Sequence, residues 1–147
     1  MGNTESAEPV RSELPPGADL VKLICFYLGS TPLGMNRSAD FIVQAARRIG
    51  EMKQEPLPIL FRVSDTGLFG RRASNNMLLS EVSLTDLSNV TLVSSNRICF
   101  LQRDRKTGFL ACHLLFIQKN AAKVCDIINK ACSNLVRKSA TFTWQLY

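Results

Sequence analysis

The sequence predicts an α+β domain in which a barrel or sandwich of antiparallel strands is covered by a helix. Three observations favour this fold class. The composition, 46% hydrophobic and 20% charged residues, is typical of a globular domain. Short apolar-rich segments alternate with turn residues along most of the chain, as expected for a meander of strands. The last part of the sequence instead carries apolar residues three and four positions apart, which indicates an amphipathic helix.

The first strand follows a polar N-terminal segment. Residues 1–19 contain three glutamates, the run Pro15-Pro16-Gly17 and few apolar residues, so we expect a disordered tail there. The folded domain is expected to span residues 20–138. Residues 21–28 are rich in apolar side chains, and the turn signal Gly29-Ser30-Thr31-Pro32 is predicted to close this strand.

A short helix and six strand-like segments are predicted next. Apolar residues recur at helical spacing after Ser38, which is a favourable N-cap residue; they are Ala39, Ile42, Ala45, Ala46 and Ile49. The strand-like segments then span residues 59–64, 68–72, 77–82, 90–94, 97–102 and 109–117. Turn residues between them indicate an antiparallel meander.

The final helix is predicted to begin after Asn120, a second candidate N-cap. Its apolar face consists of Ala121, Val124, Cys125, Ile128, Ala131, Cys132 and Leu135. We expect the chain to leave the helix at Ser139, so that residues 139–147 form a C-terminal tail. The aromatic residues of this tail are compatible with packing back on the barrel or with binding a partner.

The sequence lacks the residue sets that catalysis or metal binding would need. His113 is the only histidine, and its neighbour Cys112 must point to the opposite face of a strand, so these two cannot act as a nucleophile and its base. A zinc site built from Cys99, Cys112 and His113 lacks a fourth ligand. No glycine-rich phosphate-binding motif is present. We therefore expect a non-enzymatic protein without metal or cofactor.

Cysteine usage and hydropathy favour a cytoplasmic protein. The five cysteines are an odd number without a Cys-x-x-Cys pair, and they predict reduced thiols that act as small apolar side chains. No apolar run approaches the roughly 20 residues of a membrane span. The N-terminus also lacks the basic and apolar regions of a secretory signal.

The folded part of the chain is more basic than the whole. The net charge is +6, whereas residues 41–147 hold fifteen basic and seven acidic residues, a difference of +8. A basic surface favours acidic peptides, inositol phosphates or nucleic acid. Nucleic acid is not expected as a partner, because the few aromatic residues lie mostly at strand positions and form no stacking platform. The candidate residues for a lipid or phosphate are Arg47, Arg48, Arg71 and Arg72.

Four local stretches, in this order, carry a more specific signal. They are Tyr-Leu-Gly-Ser at 27–30, Val-Thr-Leu at 90–92, Gly-Phe-Leu-Ala-Cys-His-Leu-Leu at 108–115, and Ile-Ile-Asn-Lys-Ala-Cys at 127–132. Together they resemble the phosphotyrosine-binding (PTB) domain, also called the phosphotyrosine-interaction domain, over roughly residues 20–138.

The resemblance implies a pleckstrin-homology-like barrel of seven strands in two roughly orthogonal sheets, closed by the C-terminal helix. It also implies a peptide groove between that helix and an edge strand, where family members add short peptides, often Asn-Pro-x-Tyr, as an extra strand. Such peptides come from the cytoplasmic tails of membrane receptors and from other proteins that carry the motif. The implied pairing strand is Val90, Thr91, Leu92, Val93 and Ser94, and the implied helix wall is Ile128, Cys132 and Leu135. For Ile128 and Leu135, packing in the core is an equally good interpretation.

Two departures from the family pattern bear on the ligand. Where phosphotyrosine-dependent members have an arginine and a lysine, this sequence has Leu110 and Asp104, which offer no donors to a phosphate. Arg103 and Arg105 are alternative phosphate donors, although a solvated hairpin is the simpler interpretation of both. We therefore expect binding that does not depend on phosphotyrosine. Cys132 stands where the family usually has a phenylalanine, so the pocket upstream of the peptide turn is expected to be larger or vacant.

Two further expectations concern membranes. The start Met-Gly-Asn-Thr-Glu-Ser fits the pattern for myristoylation of Gly2. One acyl chain anchors a protein only weakly, so a basic patch would have to assist attachment at the inner leaflet of the plasma membrane. The rival interpretation is a pleckstrin-homology-like module that binds phosphoinositides through its basic surface and binds no peptide.

Overall fold

A computed structural model describes residues 17–35 and 38–146, without the side chains of residues 89 and 136–146. The predicted N-terminal tail as far as residue 16, and with it Gly2, lies outside the described residues. The elements in chain order are β1 (Val21–Gly34), α1 (Ala39–Glu51), β2 (Leu57–Val63), β3 (Gly67–Arg72), β4 (Leu78–Ser83), a 3-10 turn (Leu84–Asp86), β5 (Leu87–Ser94), β6 (Arg97–Arg103), β7 (Leu110–Phe116) and α2 (Ala121–Leu146). As far as the chain is described, neither helix combines the length and apolar character of a membrane span.

All seven strands form one antiparallel sheet in the order β4-β3-β2-β1-β7-β6-β5. β1 joins its two halves, because residues 21–27 pair with β2 and residues 26–34 pair with β7. Side chains from both halves meet in one interior cluster. The predicted α+β class, with a helix after the first strand and a C-terminal helix, is confirmed.

The predicted turn at residues 29–32 is wrong, because β1 continues through it to Gly34. The pairing register with β7 shifts between Tyr27 and Gly29, which marks a β-bulge. Gly29 has a φ of +132°, a conformation that other residues rarely adopt. Gly29 therefore permits a bend inside the strand. The residues around it are typical of turns, so the sequence predicted a chain reversal where the strand only bends.

α1 covers the outer face of the sheet around β1 and β7. Ser38 is its N-cap residue, and the Ser38 carbonyl accepts a hydrogen bond from the Ile42 backbone N–H at 3.1 Å. Of the five predicted face residues, Ile42, Ala45, Ala46 and Ile49 are buried, and they pack with Leu101 and Leu114 in a cluster separate from the barrel interior. Ala39 is exposed at the first position of the helix, so the predicted face of α1 is confirmed except at Ala39.

α2 packs on the interior cluster with the face that its periodicity predicts. Its backbone continues to Leu146, so the prediction that the chain leaves the helix at Ser139 is wrong. The sequence contains no glycine after Gly108 and no proline after Pro58, and the helix therefore meets no residue that would end it.

The cysteines divide into a bonded pair and three free thiols. Cys99 on β6 and Cys112 on β7 form a disulfide with their Cα atoms 6.4 Å apart, so the expectation of five reduced thiols is wrong for these two. The register of β6 and β7 brings the two residues together. Their side chains project from the same face of the adjacent strands and occupy diagonal positions. The free thiols are Cys25 and Cys125, which are buried, and Cys132, which is half-buried. Burial raises the pKa of the Cys25 thiol to about 12, consistent with an apolar role.

Candidate functional site

β5 is an edge strand of the sheet. It stands last in the strand order and pairs with β6 alone, while α2 packs against it. An edge strand directs alternate backbone N–H and C=O groups away from the sheet, where an extended peptide can pair with them. We call the line along which α2 meets β5 the β5–α2 seam.

Side chains of α2 already occupy part of this edge. The Asn129 side-chain amide donates a hydrogen bond to the Val90 carbonyl at 3.1 Å, and the Cys125 thiol lies 3.6 Å from the same oxygen. Burial and the neighbouring Asp126 raise the pKa of Cys125, so its thiol keeps the proton that it donates. The Leu92 backbone N–H also contacts the Cys125 sulfur. The part of the β5 edge beyond these α2 contacts therefore begins at the Leu92 carbonyl.

Asn129 is a functional candidate that the sequence interpretation missed. It belongs to the quoted helix stretch, but the sequence interpretation assigned it no role. The available signal was its spacing, because Asn129 lies one helical turn after Cys125 and so shares its face.

The predicted pairing residues present their side chains in different directions. Val90 is buried in the interior, and half-buried Val93 packs against the α1 cluster. Thr91 is half-buried, and Ser94 is exposed. Leu92 is 41% exposed, a large apolar side chain left in water at the seam.

The three residues of the predicted helix wall differ in burial. Ile128 is 0% exposed and belongs to the core, so its side chain is not accessible to a peptide. Its position on the inward face explains this outcome, which the alternative interpretation anticipated. Cys132 and Leu135 are half-buried at the margin of the core. The reachable apolar side chains of the seam are therefore those of Leu92, Cys132 and Leu135.

The two positions that bear on phosphate recognition offer no donor side chain. Leu110 is buried, and the Asp104 carboxylate accepts hydrogen bonds from the backbone N–H groups of Lys106 and Thr107 at 2.7 and 3.2 Å. Arg105 is paired with Asp86 at 2.7 Å. Arg103 is exposed at the end of β6.

The candidate lipid-binding arginines lie on separate elements. Arg47 and Arg48 are exposed on α1, which packs on β1 and β7. Arg71 and Arg72 lie on β3, between β2 and β4 in the sheet. The Arg71 guanidinium also donates to the Asn76 carbonyl at 3.1 Å. The four arginines are thus divided between two elements, α1 and β3.

His113 and Cys112 project from opposite faces of β7, as predicted for neighbours in a strand. Cys112 packs beneath α1, whereas His113 faces the barrel interior and stacks on Phe100 with ring centroids 4.8 Å apart. His113 Nδ1 lies 2.9 Å from the Tyr27 hydroxyl, and Nε2 lies 3.1 Å from Gln102 Oε1. Burial lowers the pKa of His113 to about 4, so the ring is neutral near pH 7.

A neutral imidazole has one N–H donor, and the Gln102 carbonyl oxygen can only accept. Nε2 therefore carries the proton, and Nδ1 accepts from the Tyr27 hydroxyl. Both ring nitrogens of His113 therefore have a hydrogen-bond partner within the protein. Within residues 17–35 and 38–146, no cluster of three or more His, Cys, Asp or Glu side chains has the arrangement of a metal site.

Comparisons with known proteins agree with this architecture. No family model and no curated protein matches the sequence. Among solved structures, the chain is similar to the C-terminal phosphotyrosine interaction domain of APBB2 from mouse, determined in solution. The two share 22% identity with a TM-score of 0.70, over 86% of this chain and 96% of the mouse domain. The chain therefore has the fold of a phosphotyrosine interaction domain, as the four sequence stretches predicted.

Proposed function

We propose that this domain is a non-enzymatic adaptor module that captures a short extended peptide by adding it as a strand beside β5. The observation that carries the proposal is the free edge of β5 next to an exposed apolar side chain, Leu92, under the half-buried margin of α2. Backbone pairing along this edge supplies affinity, and side-chain pockets at the seam supply selectivity.

The length of the accessible edge limits how the peptide binds. Asn129 and Cys125 satisfy the Val90 carbonyl, so pairing uses the backbone from Leu92 to Ser94. Cys132 offers less contact area than the phenylalanine that is usual in the resembled family. A peptide with a bulky apolar residue upstream of its turn is expected to fill that space.

The peptide class follows from the sequence resemblance, and the charge pattern follows from the structure. Asn-Pro-x-Tyr segments of receptor tails and of other cytoplasmic proteins are the proposed ligands. A phosphate dianion needs several charge-assisted donors. Buried Leu110 and the acceptor Asp104 supply none, and Arg105 is held by Asp86. We therefore propose that phosphorylation of the tyrosine adds little affinity.

The test is a titration of the 15N-labelled protein with an Asn-Pro-x-Tyr peptide and with its phosphotyrosine twin. Amide shifts at residues 92–94 and 132–135 are expected with both peptides, with affinities within about tenfold of each other. Leu92→Asp should weaken binding at least about tenfold, because a charge would be buried beneath the peptide.

Leu79→Asp is the matched control, since Leu79 is an equally exposed leucine, 39% against 41%, on the other edge strand. A phosphotyrosine preference above about tenfold would refute the phosphate argument alone. Loss of binding in both leucine variants, or no shifts at the seam with either peptide, would refute strand addition at β5.

The lipid-binding alternative makes the opposite prediction. Inositol phosphate binding that is abolished by Arg71→Gln and Arg72→Gln together, and unchanged by Leu92→Asp, would replace the peptide proposal.

A peripheral membrane location is a separate proposal that rests on the sequence pattern at Gly2. Gly2→Ala should release the protein from membranes if the glycine is myristoylated. Unchanged fractionation of the variant would refute it without affecting peptide binding.

A further inference from the structure

A cavity of about 320 Å³ lies inside the barrel, away from the β5–α2 seam. Its lining comes from β1, β2, β3, β4, β6 and β7, and among the described residues none from β5 or α2 contributes. Protein interiors are packed as tightly as organic crystals, and voids larger than a water molecule are few. A space of this size beside a filled core is therefore a candidate ligand site.

Most of the lining is apolar and much of it is aromatic. Phe61, Phe69, Phe100 and Tyr27 contribute rings, and the remaining side chains are mainly Leu, Ile and Val. Aromatic pairs in offset-stacked or edge-to-face arrangements gain stabilisation beyond the area that they bury. The walls therefore favour a flat aromatic body.

A polar group is built into one side of this cavity. The Tyr27 hydroxyl, the His113 ring and the Gln102 amide form a chain of two hydrogen bonds, and all three residues line the cavity. The bond between His113 and Gln102 uses the carbonyl oxygen of the amide and not its two N–H groups. These N–H groups can donate to an acceptor on a bound molecule.

The charge state of the cluster selects against ions. The His113 ring is neutral, and none of the described residues that line the cavity is a Lys, Arg, Asp or Glu. Burial of an unpaired charge there would be costly. A carboxylate, phosphate or ammonium is therefore disfavoured as the polar group of the ligand.

β4 forms the rim through which a molecule can enter. Leu79 and Ser80 both line the cavity and are both exposed to solvent. The cavity thus combines apolar walls, a few convergent polar groups and a route to water, which is the usual composition of a small-molecule site.

We propose that this cavity binds a small, neutral aromatic molecule that carries one hydroxyl or carbonyl oxygen, with Gln102 donating to that oxygen. The site is independent of the peptide function proposed above, because it shares no residue with the β5–α2 seam.

The test uses 2-naphthol as the probe and NMR of the full chain as the readout. Intermolecular NOEs are expected from naphthol protons to the methyl groups of Ile59, Leu68 and Leu115, all of which line the cavity. 2-Naphthalenesulfonate, which has the same rings with a charge, should bind at least about tenfold more weakly.

Gln102→Leu should weaken 2-naphthol binding by up to about tenfold, the value of one neutral hydrogen bond. The same variant should leave the affinity for 2-methylnaphthalene unchanged, which separates loss of the donor from loss of the fold. Gln118→Leu, at an exposed glutamine outside the cavity, is the matched control.

Three outcomes would overturn the proposal: no NOEs to cavity methyls at the solubility limit of 2-naphthol, tighter binding of the sulfonate, or equal 2-naphthol affinity in Gln102→Leu. Peptide binding at the seam is measured separately with Leu92→Asp, so failure of one site is distinguishable from failure of the other.

Discussion

The barrel interior beneath α2 and the interior on the cavity side are built from the same strands but have different chemistry. Along the inner face of β6 the side chains change from Ile98 through Phe100 to Gln102. Along β7 they change from Leu115 to His113 in the same direction, because Ile98 pairs with Leu115 and Phe100 with His113. Both strands are thus apolar beneath α2 and become polar toward the cavity.

The two parts of the core therefore have different roles: the part beneath α2 stabilises the fold, and the part around the cavity has the chemistry of a ligand site. Beneath α2 the side chains fill the space. Polar side chains there hydrogen-bond to the backbone, as Asn129 does when it donates to the Val90 carbonyl. On the cavity side a void of about 320 Å³ and a neutral histidine remain. We therefore expect substitutions beneath α2 to act on folding, and substitutions around the cavity to act on pH dependence and binding.

The largest effect is expected for Ile128→Ala beneath α2. Ile128 is 0% exposed, and truncation of a fully buried isoleucine costs about 2–5 kcal/mol in lost burial and cavity formation. Chemical denaturation measures the free energy of unfolding. Ile24→Ala is the control, since Ile24 is 65% exposed and should change that free energy by less than about 0.5 kcal/mol. Similar losses in the two variants would contradict a filled core beneath α2.

The next effect concerns His113 on the cavity side. Its pKa is depressed from 6.5 to about 4, so the unfolded chain binds more protons than the folded chain between these values. The contribution of His113 to the free energy of unfolding is therefore complete above pH 6.5 and is lost as the pH falls toward 4. The shift corresponds to at most about 3 kcal/mol.

Denaturation curves of the wild type and of His113→Phe at several pH values isolate this contribution, because the carboxylates titrate alike in both proteins. The difference in free energy of unfolding between the two should change across the window from pH 6.5 to 4. A constant difference would mean that His113 titrates normally and that the cavity side is wetter than its apolar lining implies.

A smaller effect is expected for Asn129→Ala at the seam. The substitution leaves the Val90 carbonyl with only the weak thiol donor, and loss of one such hydrogen bond costs about 1 kcal/mol. Asn134→Ala on the exposed face of α2 is the matched control. Amide exchange near Val90 should become faster in the first variant alone; unchanged exchange would show that Asn129 does not hold the strand.

The sequence predicted most of the fold because its signals are local. The six segments after the first helix correspond to β2–β7, with ends displaced by a few residues, and the buried face of each helix follows from periodicity. The turn at Gly29 and the end of α2 were wrong for opposite reasons. At Gly29 a typical turn sequence serves as a bulge, and at Ser139 a polar sequence contains no residue that ends a helix.

The candidate site was less predictable because it depends on contacts between distant elements. Strand β5 was identified from the sequence. The contact of Asn129 with Val90 on this strand was not, because the two residues are 39 positions apart. The disulfide between Cys99 and Cys112 depends on which strand faces pair, and the cavity depends on side chains from six strands. Neither pattern is visible in any single segment.

The passage of β1 through both halves of the sheet has a kinetic consequence. β2–β4 and β5–β7 are two meanders whose neighbours are close in the chain, so each can form from local contacts. Pairing of β1 with β7 instead joins Phe26 to Phe116, which are 90 positions apart. The intervening chain must lose conformational entropy before this contact can form. Folding rates fall as such long-range contacts dominate. We therefore expect the meanders to form early and the docking of the second half of β1, beyond the Gly29 bulge, to limit the rate at which the barrel closes.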